Sequence, residues 1–237
     1  MFTDPEDLAD NQDLLEGIEK GSLRLVVQAL YDFRDTAAEI FKREKDLAAD
    51  IGEDITREAL DRIGMSKIDV RLFGKIDYKR ARYAFNRDYA IRQALFVDSK
   101  AEKVEGQATA TLQTAQVSMH IRHIRQKHEV DVPGKLPVAV STERGKLLTT
   151  TLFVKYNYEA LRTENKLRTV TIAALPNGML QERYNPTAQD TIWRAGRNAP
   201  SRGEAFRVRL VFDLLKEKMK WRVQHIPMSP NPFAWDD

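Results

Sequence analysis

The hydrophobic period of this chain changes at Gly64, and few folds accommodate the change. Before it, apolar residues recur at Leu23, Val26, Val27, Leu30, Phe33, Ala37, Ile40 and Phe41. That three-and-four spacing predicts an amphipathic helix from an N-cap at Ser22 to about Ala49. "EDITREALDRIG" predicts a second, shorter helix closed near Gly64. Beyond it, "VRLFGKIDY", "RQALFVDSK", "LLTTTLFVKYNYEAL", "RTVTIAAL" and "AFRVRLVF" are rich in β-branched and aromatic residues and predict strands. "QATATLQTAQVSMHIRHIRQ" and "FDLLKEKMK" predict two further helices. Helices, a hairpin-like strand pair, a helix and then more strands make an α/β chain, a mixed β-sheet core flanked by α-helices.

No repeat or low-complexity tract divides the 237 residues, so one domain is expected. "EVDVPGKLP" and "RYNPTAQDTIWRAGRNAPSRGE" are its loop-like stretches. The proline-rich tail "PMSPNPFAWDD" is expected to be extended and to dock through Phe233 and Trp235.

The chain has no cysteine, which excludes disulfides, iron–sulfur clusters and zinc–thiolate sites and fits a reducing compartment. No apolar run approaches the roughly 18 residues that cross a bilayer. The acidic start "MFTDPEDLADNQD" is not a signal peptide, so the expectation is a cytoplasmic protein with no membrane partner. Residues 1–60 hold 16 acidic and 7 basic groups, against 19 acidic and 31 basic in the remainder. A basic body behind an acidic start fits a polyanionic partner, although solvated basic faces are common.

The run "LFVDSKAEK" reads as a buried strand that stops at Asp98, Ser99 and Lys100. Alternation puts Asp98 and Lys100 on one face and Ser99 on the other, leaving the Ser99 carbonyl available as a ligand. Upstream, "FGKIDYKR" places Asp77 near the end of another strand, and "ARYAFNRDYA" is short enough to bring the two strands alongside. Two carboxylates, a carbonyl and an ammonium form an oxygen-rich set suited to a hard divalent cation and to phosphodiester hydrolysis. The plain alternative is that D-x-K marks a strand end returning to solvent. Glu53 and Glu58, in the helix before the sheet, are better explained as a solvated face than as ligands of a second metal.

"GKIDYKR" followed by "LFVDSKAEK" and "TLQTAQVSM" resembles the SfiI family of type II restriction endonucleases, in the PD-(D/E)XK nuclease superfamily. The likeness continues through "SLRLVVQAL", "EDITREAL", "LPNGMLQERYNP", "SRGEAFRVRLVFDLLKE" and "WR", from about Ser22 to Arg222. It implies a restriction-endonuclease-like fold, with N-terminal helices over 22–64, a catalytic core over 70–175, a DNA-recognition region over 176–225 and an extended tail over 226–237. It implies Asp77 and Asp98 as metal ligands together with the Ser99 carbonyl, Lys100 as the catalytic lysine, and Mg2+ as the cofactor. Ile76 stands where the superfamily motif has its proline. The partner so implied is double-stranded DNA, cut at a G·C-rich and interrupted palindrome by a homodimer, with pairing of dimers into a tetramer as an extension. A cognate DNA methyltransferase is the functional partner in a prokaryotic restriction–modification system. Two other readings share the fold: a structure-selective repair nuclease or resolvase, and a catalytically silent DNA-binding protein.

Between Lys166 and Lys216 there is no lysine but seven arginines, Arg168, Arg183, Arg194, Arg197, Arg202, Arg207 and Arg209. Arginine presents a fork that fits O6 and N7 of guanine, whereas lysine acts as a point charge on phosphate. In "FRVRL" alternation puts Arg207 and Arg209 on one face, as in a strand that enters a major groove or as in an edge strand guarded by charge. Arg202 is a further candidate for base readout, and Arg122, Arg125 and Lys127 fit phosphate contact. His120, His123 and His128 read as an exposed, basic helix end rather than a zinc site. Trp193 and Trp221 read as core or interface residues. The Ser22 helix and the "TLQTAQVSM" helix are the candidate subunit contacts.

Overall fold

The computed structural model describes residues 2–44, 48–68, 81–104, 108–196 and 207–237, with the backbone alone at 48–50. Helix α1 runs Gln12–Arg43 and is capped by Asn11, whose side chain accepts from the Leu14 N–H at 3.2 Å. It therefore begins upstream of Ser22. The apolar stripe extends back through Leu15 and Ile18, and the Ser22 hydroxyl bonds the Ile18 carbonyl one turn earlier, as a mid-helix serine does. Helix α2 spans Ala48–Arg62 and closes at Gly64, whose φ of 73° suits a residue without Cβ.

The central sheet has six strands in the order β1 (Ala81–Asn86), β2 (Ile91–Lys103), β7 (Gly145–Ala160), β8 (Asn165–Leu175) and β11 (Val223–Pro227), with β6 (Ala139–Thr142) also paired to β7. β2 and β7 run parallel and the remaining pairs antiparallel, so the sheet is mixed as expected. "ARYAFN" is itself strand β1, paired Ala81 to Phe96, rather than a connection. The strand predicted over "VRLFGKIDY" lies outside the described residues. Helices α1 and α2 cover one face, burying Leu95, Val97, Leu152, Val154 and Tyr156 against Leu30, Phe33, Phe41 and Ile55.

The opposite face carries a second apolar cluster around Phe153, Ala173, Leu180 and Trp193. Above it lies a separate three-stranded antiparallel sheet, β3 (Thr109–Leu112), β10 (Val208–Val211) and β9 (Trp193–Ala195). The helix expected over "QATATLQTAQVSMHIRHIRQ" is not there. That segment forms β3, a 3-10 turn at Thr114–Gln116 and β4 (Ile121–Arg125), and β4 makes a hairpin with β5 (His128–Val132). The β-branched residues of β3 pair with the distant β10 and those of β4 with the adjacent β5, which overrides the helical tendency of the intervening Gln and Ala. Two short helices complete the chain, α3 (Gln181–Tyr184) and α4 (Phe212–Lys218), the latter as expected.

The tail is extended and docks through Phe233 and Trp235 as expected, but not through them alone, since Asp236 pairs with Lys216 at 2.5 Å and exchanges main-chain hydrogen bonds with the Gln224 side chain. The Phe233 ring lies 5.8 Å from Tyr31, and the Arg24 guanidinium stands 5.2 Å from the Trp235 ring. Under the helical layer, Arg222 is fully buried between Glu19, at 2.7 Å, and the Tyr184 hydroxyl, at 2.6 Å. No described helix is long and apolar enough to cross a membrane.

Candidate active site and nucleic-acid interface

Strand alternation along β2 sets Asp98, Lys100 and Glu102 on the face turned toward the three-stranded sheet. Ser99 points the other way, where its hydroxyl donates to Thr56 of α2 at 2.8 Å and Thr56 shares a 2.8 Å bond with the Tyr156 hydroxyl. Asp98 is only 8% exposed. The parallel register places Asp98 beside Phe153, Lys100 beside Lys155 and Glu102 beside Asn157. The Lys100 ammonium donates to the Thr111 carbonyl at 2.6 Å and stands 5.8 Å from the Phe153 ring. Burial pushes the Lys100 pKa below its ordinary value, while the neighbouring Asp98 and Glu102 carboxylates push it back up.

The structure thus brings Asp98, Ser99 and Lys100 together, whereas Asp77 lies outside the described residues. Two residues of this row escaped the sequence reading. Glu102 was legible as the next position on the same face. Lys155, completely buried in "LFVKYNYE", was legible as a charge that an apolar strand cannot bury without partners.

The donor set suits a hard cation. The row presents the Asp98 carboxylate, with the Ser99 carbonyl next along the strand and no imidazole or thiolate, which is the oxygen chemistry that magnesium takes, while the Glu102 carboxylate is committed to Lys155 at 2.7 Å. No cluster of three or more His, Asp or Glu occurs among the described residues. Glu53 and Glu58 sit on the exposed side of α2, and Glu58 pairs with Arg62 at 3.0 Å, as a solvated face requires.

The arginine strand is organised as its alternation predicts: Val208 and Leu210 are buried, Arg207 and Arg209 half-buried. Arg209 faces Arg194 of β9 on one side and Thr111 of β3 on the other. Two like charges directly opposite each other repel, and this pair concentrates positive charge on one face of the small sheet. The Arg207 Nε is buried with no acceptor among the described residues. Arg202 lies outside the described residues.

The Arg122 guanidinium donates to Asp131 at 3.1 Å, Glu182 at 3.2 Å and the Pro186 carbonyl at 2.7 Å, which braces the β4–β5 hairpin against the loop after α3. Arg125 donates to the Gly196 carbonyl at 3.2 Å. Lys127 sits at the hairpin turn, where Gln126 and Lys127 both adopt positive φ. The three histidines do not form a helix end. His120 pairs with Asp131 at 2.7 Å, His123 is 1% exposed inside β4, and His128 opens β5. Burial lowers the His123 pKa. Trp193 and Trp221 are core residues, as expected.

Comparison with known proteins gives a consistent result. Residues 21–226 match the family model described as type II restriction enzyme SfiI. The type II restriction enzyme SfiI of Streptomyces fimbriatus is 34% identical over 235 residues, covering 92% of this chain and 86% of that protein. The crystal structure of tetrameric restriction endonuclease SfiI bound to cognate DNA superposes with a TM-score of 0.83 at 30% identity, over 98% of this chain and 90% of that one. The restriction endonuclease BglI bound to its DNA recognition sequence shares the fold, with a TM-score of 0.73 at 15% identity over 95% of this chain and 94% of that one.

Proposed function

Because this chain belongs to the type II restriction enzyme SfiI family and is a site-specific deoxyribonuclease, we propose that it makes magnesium-dependent double-strand cuts in DNA at a G·C-rich, interrupted palindrome. The observation that carries this reading is the row on β2, where a buried carboxylate and a half-buried lysine two residues on share one face, under a sheet that presents Arg207 and Arg209.

In this reading Asp98, the Ser99 carbonyl and Asp77 hold the cation. What magnesium supplies when bound is a more acidic water and a counter-charge for the phosphate. The Lys100 ammonium, close to Asp98 along the strand, orients the attacking water against the scissile phosphate. Arg207 and Arg209, with Arg202, offer forks to guanine edges in the major groove, while Arg125 and Lys127 contact phosphates. Arg122 serves by bracing the hairpin that carries them.

A palindrome presents the same half-site twice about a two-fold axis, so a homodimer is the smallest assembly that cuts both strands in one binding event. The SfiI relative is a tetramer on its DNA, and pairing of dimers on two sites is the corresponding extension here. "TLQTAQVSM" forms strand and turn instead of helix, and the apolar stripe of α1 is buried against its own sheet, so neither helix expected at the subunit contact offers such a stripe to a partner. We place the enzyme in a prokaryotic cytoplasm beside a methyltransferase that protects the same sequence.

The deciding experiment is digestion of a plasmid library across a magnesium titration, followed by run-off sequencing of the ends. The expected result is a few discrete sites with two-fold symmetry. Cutting only at branched or damaged DNA, or none at any magnesium concentration, would overturn the reading.

A further inference from the structure

Behind the β2 row stands a second lysine that the nuclease signature does not contain. Lys155 of β7 is the register partner of Lys100 and is 0% exposed. A buried ammonium is costly unless it is paired and hydrogen-bonded, and an apolar side chain of similar volume is generally the more stable filler. The Lys155 ammonium pairs with Glu102 at 2.7 Å and donates to the Thr109 carbonyl at 2.5 Å. Its neighbour Lys100 donates to the Thr111 carbonyl at 2.6 Å.

Carbonyls two residues apart along a strand point to the same side. Thr109 and Thr111 therefore present one edge of β3 to the two lysines. The other edge belongs to β10, with Thr111 opposite Arg209 and Thr109 opposite Val211, and the ladder continues through the Phe212 N–H to the Ala108 carbonyl at 3.1 Å. Two ammoniums thus take the place that a neighbouring strand's N–H groups would fill. They moor the arginine-bearing sheet to the catalytic face. The Glu102 side chain, 35% exposed, leaves this pair partly open to solvent.

We propose that Lys155, set by its ion pair with Glu102, is a positioning residue that couples base readout to cleavage. By holding Thr109 it fixes where β3 lies over β2, and so where Arg209 and the Lys100 ammonium stand relative to each other. The proposal deepens the restriction-endonuclease reading and rests on it.

The test uses the full chain, the duplex site found by run-off sequencing, and the same duplex with one base pair changed. Single-turnover cleavage is measured in magnesium and binding in calcium for wild type, Lys155→Met, Lys155→Arg and Glu102→Gln. Lys155→Met is expected to bind the site as tightly as wild type yet cleave it about 10²-fold more slowly, the usual effect of a small misplacement of a reacting group. Its cleavage preference for the true site over the altered one should fall about tenfold, the size of an ordinary coupling between sites. Lys155→Arg should recover most of both quantities. A stably folded Lys155→Met that cleaves and discriminates like wild type overturns the proposal. Should that variant fail to melt cooperatively, Glu102→Gln decides, since its partly exposed position tolerates the change: slow cleavage with intact binding supports the coupling and wild-type behaviour overturns it. A wild type that cuts no duplex overturns the restriction reading itself, and the coupling with it; a wild type that cuts while the variants match it overturns the coupling alone.

Discussion

Gly52 of α2 lies directly against the backbone of Lys100: a Cβ placed on it would meet the Ala101 nitrogen at 3.3 Å, the Lys100 carbonyl carbon at 3.4 Å and the Tyr156 ring at 3.1 Å. The helix seats so close behind β2 that even a single added carbon here would be tighter than ordinary van der Waals contact against the Tyr156 ring and the Ala101 nitrogen. Gly52→Val should push α2 outward, cost about 1–3 kcal/mol as other overpacked cores do, and slow cleavage while leaving DNA affinity in calcium unchanged. Thermal melting and single-turnover cleavage measured on the same preparation check both halves. A variant as stable and as fast as wild type would show that the contact is slack.

Asp77→Ala, Asp98→Ala and Lys100→Ala should each slow cleavage by on the order of 10³-fold or more, comparable to removing a key electrostatic group from an active site. Site-specific binding in calcium should survive, because none of the three is assigned to a base. Near-normal cutting by Asp98→Ala would remove the metal-site assignment.

Arg207→Ala and Arg209→Ala should weaken binding to the true site far more than to random duplex, by about 1–3 kcal/mol for each lost guanine contact. Lys127→Ala, at the hairpin turn, should weaken both alike and reduce the salt dependence by about one counterion. Gel-shift titrations at several salt concentrations separate the two classes, and equal losses for Arg209→Ala on both duplexes would move it to the phosphate class.

Arg222 reaches Glu19, Glu16 and the Tyr184 hydroxyl inside the protein. Arg222→Met leaves Glu19 buried without its countercharge, and burial already raises that carboxyl's pKa. The expected destabilisation is about 3–5 kcal/mol in urea unfolding. Glu19→Gln together with Arg222→Met should recover part of it, since no lone charge remains at that pair.

Burial lowers the His123 pKa below 6.5 in the folded chain. The unfolded chain therefore binds a proton more readily, so the contribution of the neutral imidazole is fully present above about pH 6.5 and is lost as pH falls through that value toward the folded pKa. Melting temperature should be flat from pH 8 to 7 and decline below about 6.5. His225, whose pKa burial lowers in the same way, contributes to the same decline, so His123→Gln should reduce the slope and not abolish it, and an unchanged slope would assign it to other groups.

The strand that carries Asp98 and Lys100 was legible because alternation alone decides which side chains share a face, and the end of α2 was legible from Gly64. The arginine alternation of "FRVRL" was equally plain. What it could not tell is that β10 leaves the main sheet and joins β3 and β9, since those pairings are made with segments far away in the chain. For the same reason "QATATLQT" was read as helix, its strand partner being "VRLV" near the other end. Ser22 passed for a cap because a serine that bonds back one turn looks the same in sequence as one that opens a helix. The row at the active site was only partly readable, because the meaning of Lys155 depends on a parallel neighbour, β2, that no local pattern announces.

Both lysine moorings end on main-chain oxygens of β3, not on side chains. Every amino acid carries such an oxygen, so the threonines at 109 and 111 can be exchanged for other strand-forming residues without untying the two sheets. The side chains of that sheet are thereby free to be rewritten, by mutation or by an engineer grafting a new strand, while the anchorage to β2 and β7 stays in place.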